Sequence, residues 1–90
     1  MNREEHPSLK LADTHVIPIL LFVGENEGCT RTELYLEVAR SANTPRKIDR
    51  LVSEGLLEQT QVGNGCRLSL TRTGQGVVER IREIDELMKK

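Results

Sequence analysis

The sequence has 90 residues, which is enough for one domain and too few for two. It contains one Phe, one Tyr and no Trp, so the core must be built from aliphatic side chains. No apolar run approaches the roughly 20 residues of a membrane-spanning helix. The first ten residues carry acids and no apolar stretch, unlike a secretion signal. We therefore expect a cytoplasmic protein that does not enter membranes.

The charges are unevenly distributed, although the net charge is only −1. Residues 31–72 hold seven Lys and Arg against five Asp and Glu, whereas the two ends together are acidic. A mildly basic middle is compatible with a surface that faces phosphate groups. Many solvated surfaces have the same composition, so charge alone does not assign the function.

The most apolar stretch runs from Leu9 to Gly24 and contains Pro18. Proline disfavours helical geometry at the residue before it. The pattern predicts either one helix from Asp13 that is kinked near Pro18, or a new helix with Pro18 in its first turn. In both cases residues 19–23 lie in the core.

A short helix is predicted over residues 32–39, because Leu34 and Val38 are spaced by four, as on one face of a helix. Thr30 or Thr32 supplies a hydroxyl that can cap its start, and Glu33 places an acid in the first turn. The sequence Ser-Ala-Asn-Thr at residues 41–44 then predicts a turn.

A second helix is predicted from Thr44 to Glu54. Thr44 can cap its start, Pro45 suits the first helical position, and Gly55 suits the residue that ends it. The side predicted to be buried carries Thr44, Ile48, Leu51 and Val52. The opposite side carries Arg46, Arg50 and Ser53, with Lys47 and Asp49 at its edges. Two helices joined by a tight turn, the second presenting arginines one turn apart, are typical of a helix-turn-helix unit.

A β-hairpin is predicted next, over residues 56–70. Its turn is Gly63-Asn64-Gly65, and the following residues alternate between apolar and polar side chains. Residues 28–30 are a possible third, short strand beside this hairpin.

The last predicted helix begins after Thr71 or Thr73 and ends near Met88. Its apolar side chains are spaced by four, three and four, the seam of a coiled coil. They are Val77, Ile81, Ile84 and Met88, with Val78 and Leu87 beside them. The final two turns extend beyond so small a body, and burying each apolar side chain is worth about 1.5–3 kcal/mol. We therefore expect this helix to pair with the same helix of a second copy.

The order of these pieces resembles the winged helix-turn-helix of the MarR and ArsR types of transcription regulator and their small archaeal relatives. The residues that carry the resemblance are Thr32-Glu33-Leu34, Ile48, Leu51, Glu54-Gly55-Leu56-Leu57 and Leu70-Thr71 followed by Gly74. It extends over roughly residues 9–90. The stretch from Leu9 to Gly28 is also similar to the helix that precedes this unit in ArsR-type regulators.

This resemblance implies a mainly α fold with a small antiparallel β-hairpin, in the order α-α-α-β-β-α. Residues 1–72 are expected to form the DNA-binding part, and residues 73–90 the dimerisation helix of the same compact domain. The implied function is a sequence-specific regulator that binds double-stranded DNA as a homodimer. The helix Thr44–Glu54 is expected to enter the major groove, and the wing, residues 58–70 of the hairpin, to lie on the adjacent backbone. The sequence implies no cofactor and identifies no effector.

The residues expected to contact DNA are Arg31, Arg40, Thr44, Arg46, Lys47, Arg50, Asn64 and Arg67. The residues expected in the dimer interface are Val77, Ile81, Ile84, Leu87 and Met88. Asp49 is unfavourable on a DNA-facing helix unless it pairs with Arg46 or Arg50. The alternative interpretation is a winged helix that binds another protein.

The sequence has two cysteines, Cys29 and Cys66, which is fewer than a zinc motif needs, and they are too far apart in the sequence to form one. We expect two reduced thiols. A thiol- or metal-responsive switch is a further alternative, if residues 28–30 pair with the hairpin and bring the two cysteines together. Tyr35 is expected to be half-buried in the packing. No paired carboxylates, catalytic triad order, phosphate loop or dinucleotide motif is present, so an enzyme is not expected.

Overall fold

The structure, a computed structural model, describes residues 5–38 and 43–89. The elements in chain order are a 3-10 helix Pro7–Ala12, α1 Val16–Glu25, β1 Cys29–Thr30, α2 Arg31–Glu37, α3 Thr44–Ser53, β2 Leu57–Val62, β3 Gly65–Leu70 and α4 Arg72–Met88. This is the predicted order, with the short extra strand present and a 3-10 helix before α1. The predicted fold class is confirmed.

The two alternatives for the first helix are resolved by its start. Helix α1 begins at Val16, so Pro18 lies in its first turn and the chain before it is not a continuous α-helix. A proline in the first turn costs little, because the amide it lacks would have no partner inside the helix. His15 precedes α1 with a positive φ of 71°, which turns the chain sharply out of the 3-10 helix.

Helices α2 and α3 begin in different ways. The Thr30 hydroxyl accepts a hydrogen bond from the Glu33 amide at 3.1 Å, so Thr30 caps α2 as one of the two predicted candidates. The prediction that Thr44 caps α3 is wrong, because Asn43 is the N-terminal flanking residue and Thr44 is already helical, with its side chain in the core. Gly55 follows the end of α3 with a φ of 80°, the left-handed conformation predicted there.

The three strands form one antiparallel sheet in the order β1-β3-β2. Strands β2 and β3 pair from Leu57 opposite Leu70 to Val62 opposite Gly65. That register leaves Gly63 and Asn64 as a two-residue turn, and Gly63 has the positive φ of 59° that a tight hairpin requires at its first central position. On β3, Leu68 and Leu70 are buried and Arg67 is exposed, as the alternation predicts.

The core is aliphatic, as the composition predicts. It is formed by the inward sides of α1, α2, α3 and the sheet together with the first half of α4, and its largest fully buried side chains are Ile19, Leu20, Leu34, Ile48, Leu51, Leu57 and Leu68. Tyr35 is half-buried against this cluster, as predicted. Within the described residues, no helix combines the length and the apolarity needed to cross a bilayer.

Helix α4 is fixed to the body at its N-terminal end. The Thr71 hydroxyl accepts a hydrogen bond from the Gly74 amide at 3.0 Å and caps the helix. A Cβ at Gly74 would lie 2.0 Å from the Leu56 carbonyl oxygen, so only glycine allows the helix to approach this closely. The tight approach places α4 against the segment that joins α3 to the sheet.

Candidate nucleic-acid interface

Helix α3 has one buried side and one exposed side. Its buried side carries Thr44, Ile48 and Leu51, all at most 1% exposed, which holds the helix firmly in the domain. Its exposed side carries Asn43, Arg46, Asp49 and Ser53. These positions are three or four residues apart and therefore form one continuous polar strip. A rigid helix that presents such a strip is suited to a polar partner.

The three predicted cations of α3 have different surroundings. Arg46 is exposed and forms no ion pair or hydrogen bond with any residue that the structure describes. Lys47 is half-buried, and its Nζ donates to the Thr14 carbonyl oxygen at 2.6 Å. Arg50 is half-buried, and its Nη2 donates to the Asp13 carboxylate. Arg46 is therefore the α3 cation that is free to meet a new partner.

The predicted DNA contacts include Thr44 and Arg40. Thr44 is fully buried, so its side chain is not presented to a ligand, and its place among the contact residues is corrected. The reason is that the apolar stripe of α3 begins with this residue, one turn before Ile48. Arg40 lies outside the residues that the structure describes.

Arg31 connects α2, α3 and the sheet. Its Nε and Nη2 donate to Gln59 Oε1 at 2.9 and 2.7 Å, and Nη2 lies 2.6 Å from Asp49 Oδ1. Burial lowers the pKa of Arg31, but its interactions with the Asp49 carboxylate and with Tyr35 together outweigh burial, so the pKa is raised above its usual value. Of the alternatives for Asp49, pairing with Arg46 or Arg50 is not found among the described residues, because Asp49 pairs with Arg31 of α2 instead.

No local sequence pattern predicts this cluster, since Arg31 and Asp49 are 18 residues apart and Gln59 is 28 residues from Arg31. The contact forms because the fold brings Arg31, at the start of α2, beside α3 and β2. The resemblance to a winged helix does not predict which carboxylate pairs with which arginine.

The wing presents Asn64 at its tip, and Arg67 lies well away from that tip. Asn64 is exposed in the hairpin turn. Arg67 lies in the middle strand, opposite Thr60 on one side and Thr30 on the other, and its Nη1 donates to the Gly28 carbonyl oxygen at 3.2 Å. Asn64 and Arg67 therefore occupy separate parts of the surface.

The two cysteines lie on neighbouring strands. Cys29 is opposite Leu68, two residues from Cys66 along β3, so the cysteines are diagonal neighbours, and both are free thiols. Cys29 is buried, and burial together with the nearby Glu33 carboxylate raises the pKa of its thiol. Cys66 is half-buried, and its Sγ lies 3.1 Å from Gln61 Oε1. Among the described residues, no three His, Cys, Asp or Glu side chains are grouped as metal ligands.

The C-terminal half of α4 leaves apolar side chains in solvent. Ile84 is 52% exposed, Leu87 67% and Met88 77%. Ile81 is buried against the body and Val77 is half-buried on the core, so in a single chain these two members of the predicted dimer seam are less exposed than the rest. The exposed side chains lie in the final two turns, which the sequence predicts to extend beyond the body.

An open groove of about 640 Å³ lies between the 3-10 helix and α4. Its walls include Pro7 and Leu11 on one side and Val77, Ile81 and Ile84 on the other. The groove is mostly apolar and continues towards the exposed end of α4.

The fold is shared with solved structures of transcriptional regulators. A MarR protein from Peptoclostridium difficile has 27% identity and a TM-score of 0.76, over 94% of this chain and 57% of that one. A SlyA-like transcription regulator from Listeria monocytogenes has 26% identity and a TM-score of 0.77, over 96% and 59%. A structure named as a predicted DNA-binding transcriptional regulator from E. coli has 15% identity and a TM-score of 0.75, over 91% and 88%. No protein-family model and no curated protein matches the sequence.

The chain thus has the winged-helix fold of the SlyA and MarR regulators, and the predicted resemblance is confirmed on its MarR side. It spans less than two thirds of the length of the SlyA-like and MarR structures. The neighbours are named as regulators, and none is named as an enzyme.

Proposed function

We propose that this chain is a DNA-binding transcriptional regulator that acts as a homodimer. The observation that carries the proposal is the exposed strip of α3, which has at its centre Arg46, unpaired among the described residues. The opposite side of the same helix is buried in the core. A recognition helix needs both properties, because its backbone must stay rigid while its side chains meet base edges and phosphates.

In the proposed complex, α3 enters the major groove with Arg46 directed at base edges or phosphates. Lys47 and Arg50, on one flank of α3, meet the phosphate backbone. Arg31 and Arg67 add positive charge beside the helix, and Asn64 at the tip of the wing touches the adjacent backbone. Arginine and lysine contacts to phosphate fix the position of a protein on DNA and make its affinity dependent on salt.

The proposed dimer forms through Ile84, Leu87 and Met88 at the end of α4. These side chains are exposed in a single chain, and covering them with the same helix of a second copy removes their apolar surface from water. Such a dimer is expected to place its two α3 helices about one DNA turn apart, roughly 34 Å.

Binding of duplex DNA by wild type and Arg46→Ala tests the role of α3. We expect the substitution to weaken binding at least about tenfold and to lower the dependence on salt by about one phosphate contact, because one cation is lost. Arg82→Ala is the matched control, since Arg82 is also exposed but lies on α4. Equal affinity of wild type and Arg46→Ala contradicts the proposal.

Sedimentation equilibrium tests the dimer. Wild type is expected at twice the mass of one chain, and Leu87→Ser is expected to shift the population towards the monomer. Glu83→Ser, at an exposed polar position of the same helix, is expected to remain dimeric. A wild-type monomer at all concentrations contradicts the dimer but leaves the role of α3 open.

A second candidate function is the binding of another protein through the same strip. It is favoured by Asp49, whose side chain is 68% exposed in the middle of the strip. Salt separates the two candidates, because release of counterions makes DNA binding fall steeply with salt, whereas a protein contact that pairs only a few charges falls much less.

A further inference from the structure

The residues before α1 lie along one flank of α3. This N-terminal segment, residues 7–14, touches two positions of α3 and the residue that follows its end, and these three are spaced by three and four residues, so they line up along one side of the helix. Lys47 Nζ donates to the Thr14 carbonyl oxygen at 2.6 Å, and Arg50 Nη2 donates to the Asp13 carboxylate. One turn further on, Glu54 Oε2 lies 3.6 Å from Lys10 Nζ.

These polar contacts join the N-terminal segment to α3. Its 3-10 helix has no fully buried residue, although Leu11 packs partly against the core. The segment therefore meets α3 mainly through charges, at the surface of the protein. Contacts of this kind are weak individually and exchange readily with charges in solution.

The pair between Asp13 and Arg50 is accessible to solvent. The Arg50 side chain is 40% exposed and the Asp13 side chain 25% exposed. Arg50 is adjacent to the exposed strip of α3, so an anion that approaches the strip meets a guanidinium already neutralised by a carboxylate. A phosphate group that is to bind Arg50 must compete with Asp13 for the same donors.

We propose that Asp13 is an affinity-setting residue that competes with DNA phosphate for Arg50. In the free protein the Asp13 carboxylate occupies the guanidinium, and in the complex a phosphate replaces it. Binding is weaker by the free energy needed to break the Asp13–Arg50 pair. This inference rests on the proposed DNA-binding function and adds a residue that lies outside the helix-turn-helix unit.

Asp13→Asn tests this competition, because asparagine keeps the shape of the side chain and removes its charge. We expect the substitution to tighten the binding of a fixed duplex about three- to tenfold at low salt, and to steepen the salt dependence by about one phosphate contact. Glu58→Gln is the matched control, since it removes the same charge from an exposed position on β2. Asp13→Asn must tighten binding more than this control does.

The double variant Asp13→Asn/Arg50→Ala shows whether Asp13 acts through Arg50. If it does, the gain from Asp13→Asn falls to that of the charge control once Arg50 is absent. Thermal unfolding of each variant accompanies the measurement, and because an exposed ion pair contributes little to stability, the melting temperature is expected to stay nearly constant.

Three results overturn the inference. The first is an increase in DNA affinity by Asp13→Asn that is no larger than that caused by Glu58→Gln. The second is an increase in affinity that persists when Arg50 is absent. The third is weaker DNA binding by Asp13→Asn, which would mean that Asp13 positions Arg50 for DNA. In each of these cases wild-type binding that depends on Arg46 leaves the proposed function intact. If wild type itself shows no salt-dependent binding, both the function and the inference are wrong.

Discussion

Helices α3 and α4 are both amphipathic, but their apolar sides are covered to different extents. The apolar side of α3 is in the core along its whole length, with Ile48 and Leu51 buried. The apolar side of α4 is covered as far as Ile81, and the stripe then continues into solvent through Ile84 and Leu87. The apolar side of α3 is therefore covered by its own domain, whereas α4 keeps apolar surface that its own domain does not cover.

This difference indicates two kinds of partner. What α3 leaves exposed is polar and charged, which suits a hydrated, charged ligand such as nucleic acid. What α4 leaves exposed is apolar, which suits the same surface on another chain. The predictions below separate the two helices by experiment, in order of decreasing effect on stability.

The first prediction compares Ile48→Ala with Ile84→Ala. We expect Ile48→Ala to lower the free energy of unfolding by about 2–5 kcal/mol at every protein concentration, because it opens a cavity in the core. Ile84→Ala is expected to act only through self-association, so its effect on chemical denaturation should vanish on dilution below the dimer dissociation constant. Equal losses for the two variants in dilute protein would show that α4 is covered by its own domain.

The second prediction concerns the attachment of α4 to the body. Gly74→Ala is expected to lower the free energy of unfolding by about 1–3 kcal/mol, because the new Cβ collides with the Leu56 carbonyl and the helix must shift. Gly76→Ala is the control, since nothing lies within 4 Å of a Cβ there, and alanine favours a helix. Equal stability of the two variants in urea denaturation would contradict the close approach of α4.

The sequence predicts the positions of α3 and α4 better than it predicts which of their side chains are covered. Periodicity and end signals predicted both helices, because apolar spacing, Pro45 and Thr71 act locally. The projection of the final two turns of α4 was predicted, but the exact residue at which burial ends was not, because it depends on how far the body reaches beneath the helix. The seam of Val77, Ile81, Ile84 and Met88 is regular, yet Val77 and Ile81 pack on the domain whereas Ile84 and Met88 are exposed.

The candidate site was predictable to a smaller degree. The exposed position of Arg46 follows from its place on the helix opposite Ile48 and Leu51. The partners of Arg31 and Arg50 do not, because Asp49 and Asp13 are brought to them only by the packing of separate elements. Ion pairs across elements have no local sequence pattern, and so the residues that neutralise the site were missed.

The third prediction uses the pKa of Cys29. In the folded protein burial raises this pKa above the ordinary value of 9.0, so the unfolded chain loses its thiol proton first as the pH rises. The free energy of unfolding is therefore unaffected by Cys29 below pH 9 and decreases above it, by at most about 1.4 kcal/mol per pH unit.

Urea denaturation between pH 8 and pH 10, compared for wild type and Cys29→Ala, measures this contribution. The decrease with pH is expected to be smaller in the variant, and Cys66→Ala is the control. A thiol reagent at neutral pH is expected to modify Cys66 well before Cys29, because Cys29 is buried. Equal rates at both cysteines would instead favour an accessible pair and the thiol-switch alternative.

The contact between α3 and DNA is tested most directly by following the backbone amide resonances of the ¹⁵N-labelled protein while a short duplex is added at low salt. The account predicts that the largest changes cluster on residues 43–53 and on Gly63 and Asn64, that they fade as salt is added, and that residues 82–88 of α4 change little. Changes confined to α4, or an α3 that does not respond to the duplex, would contradict it.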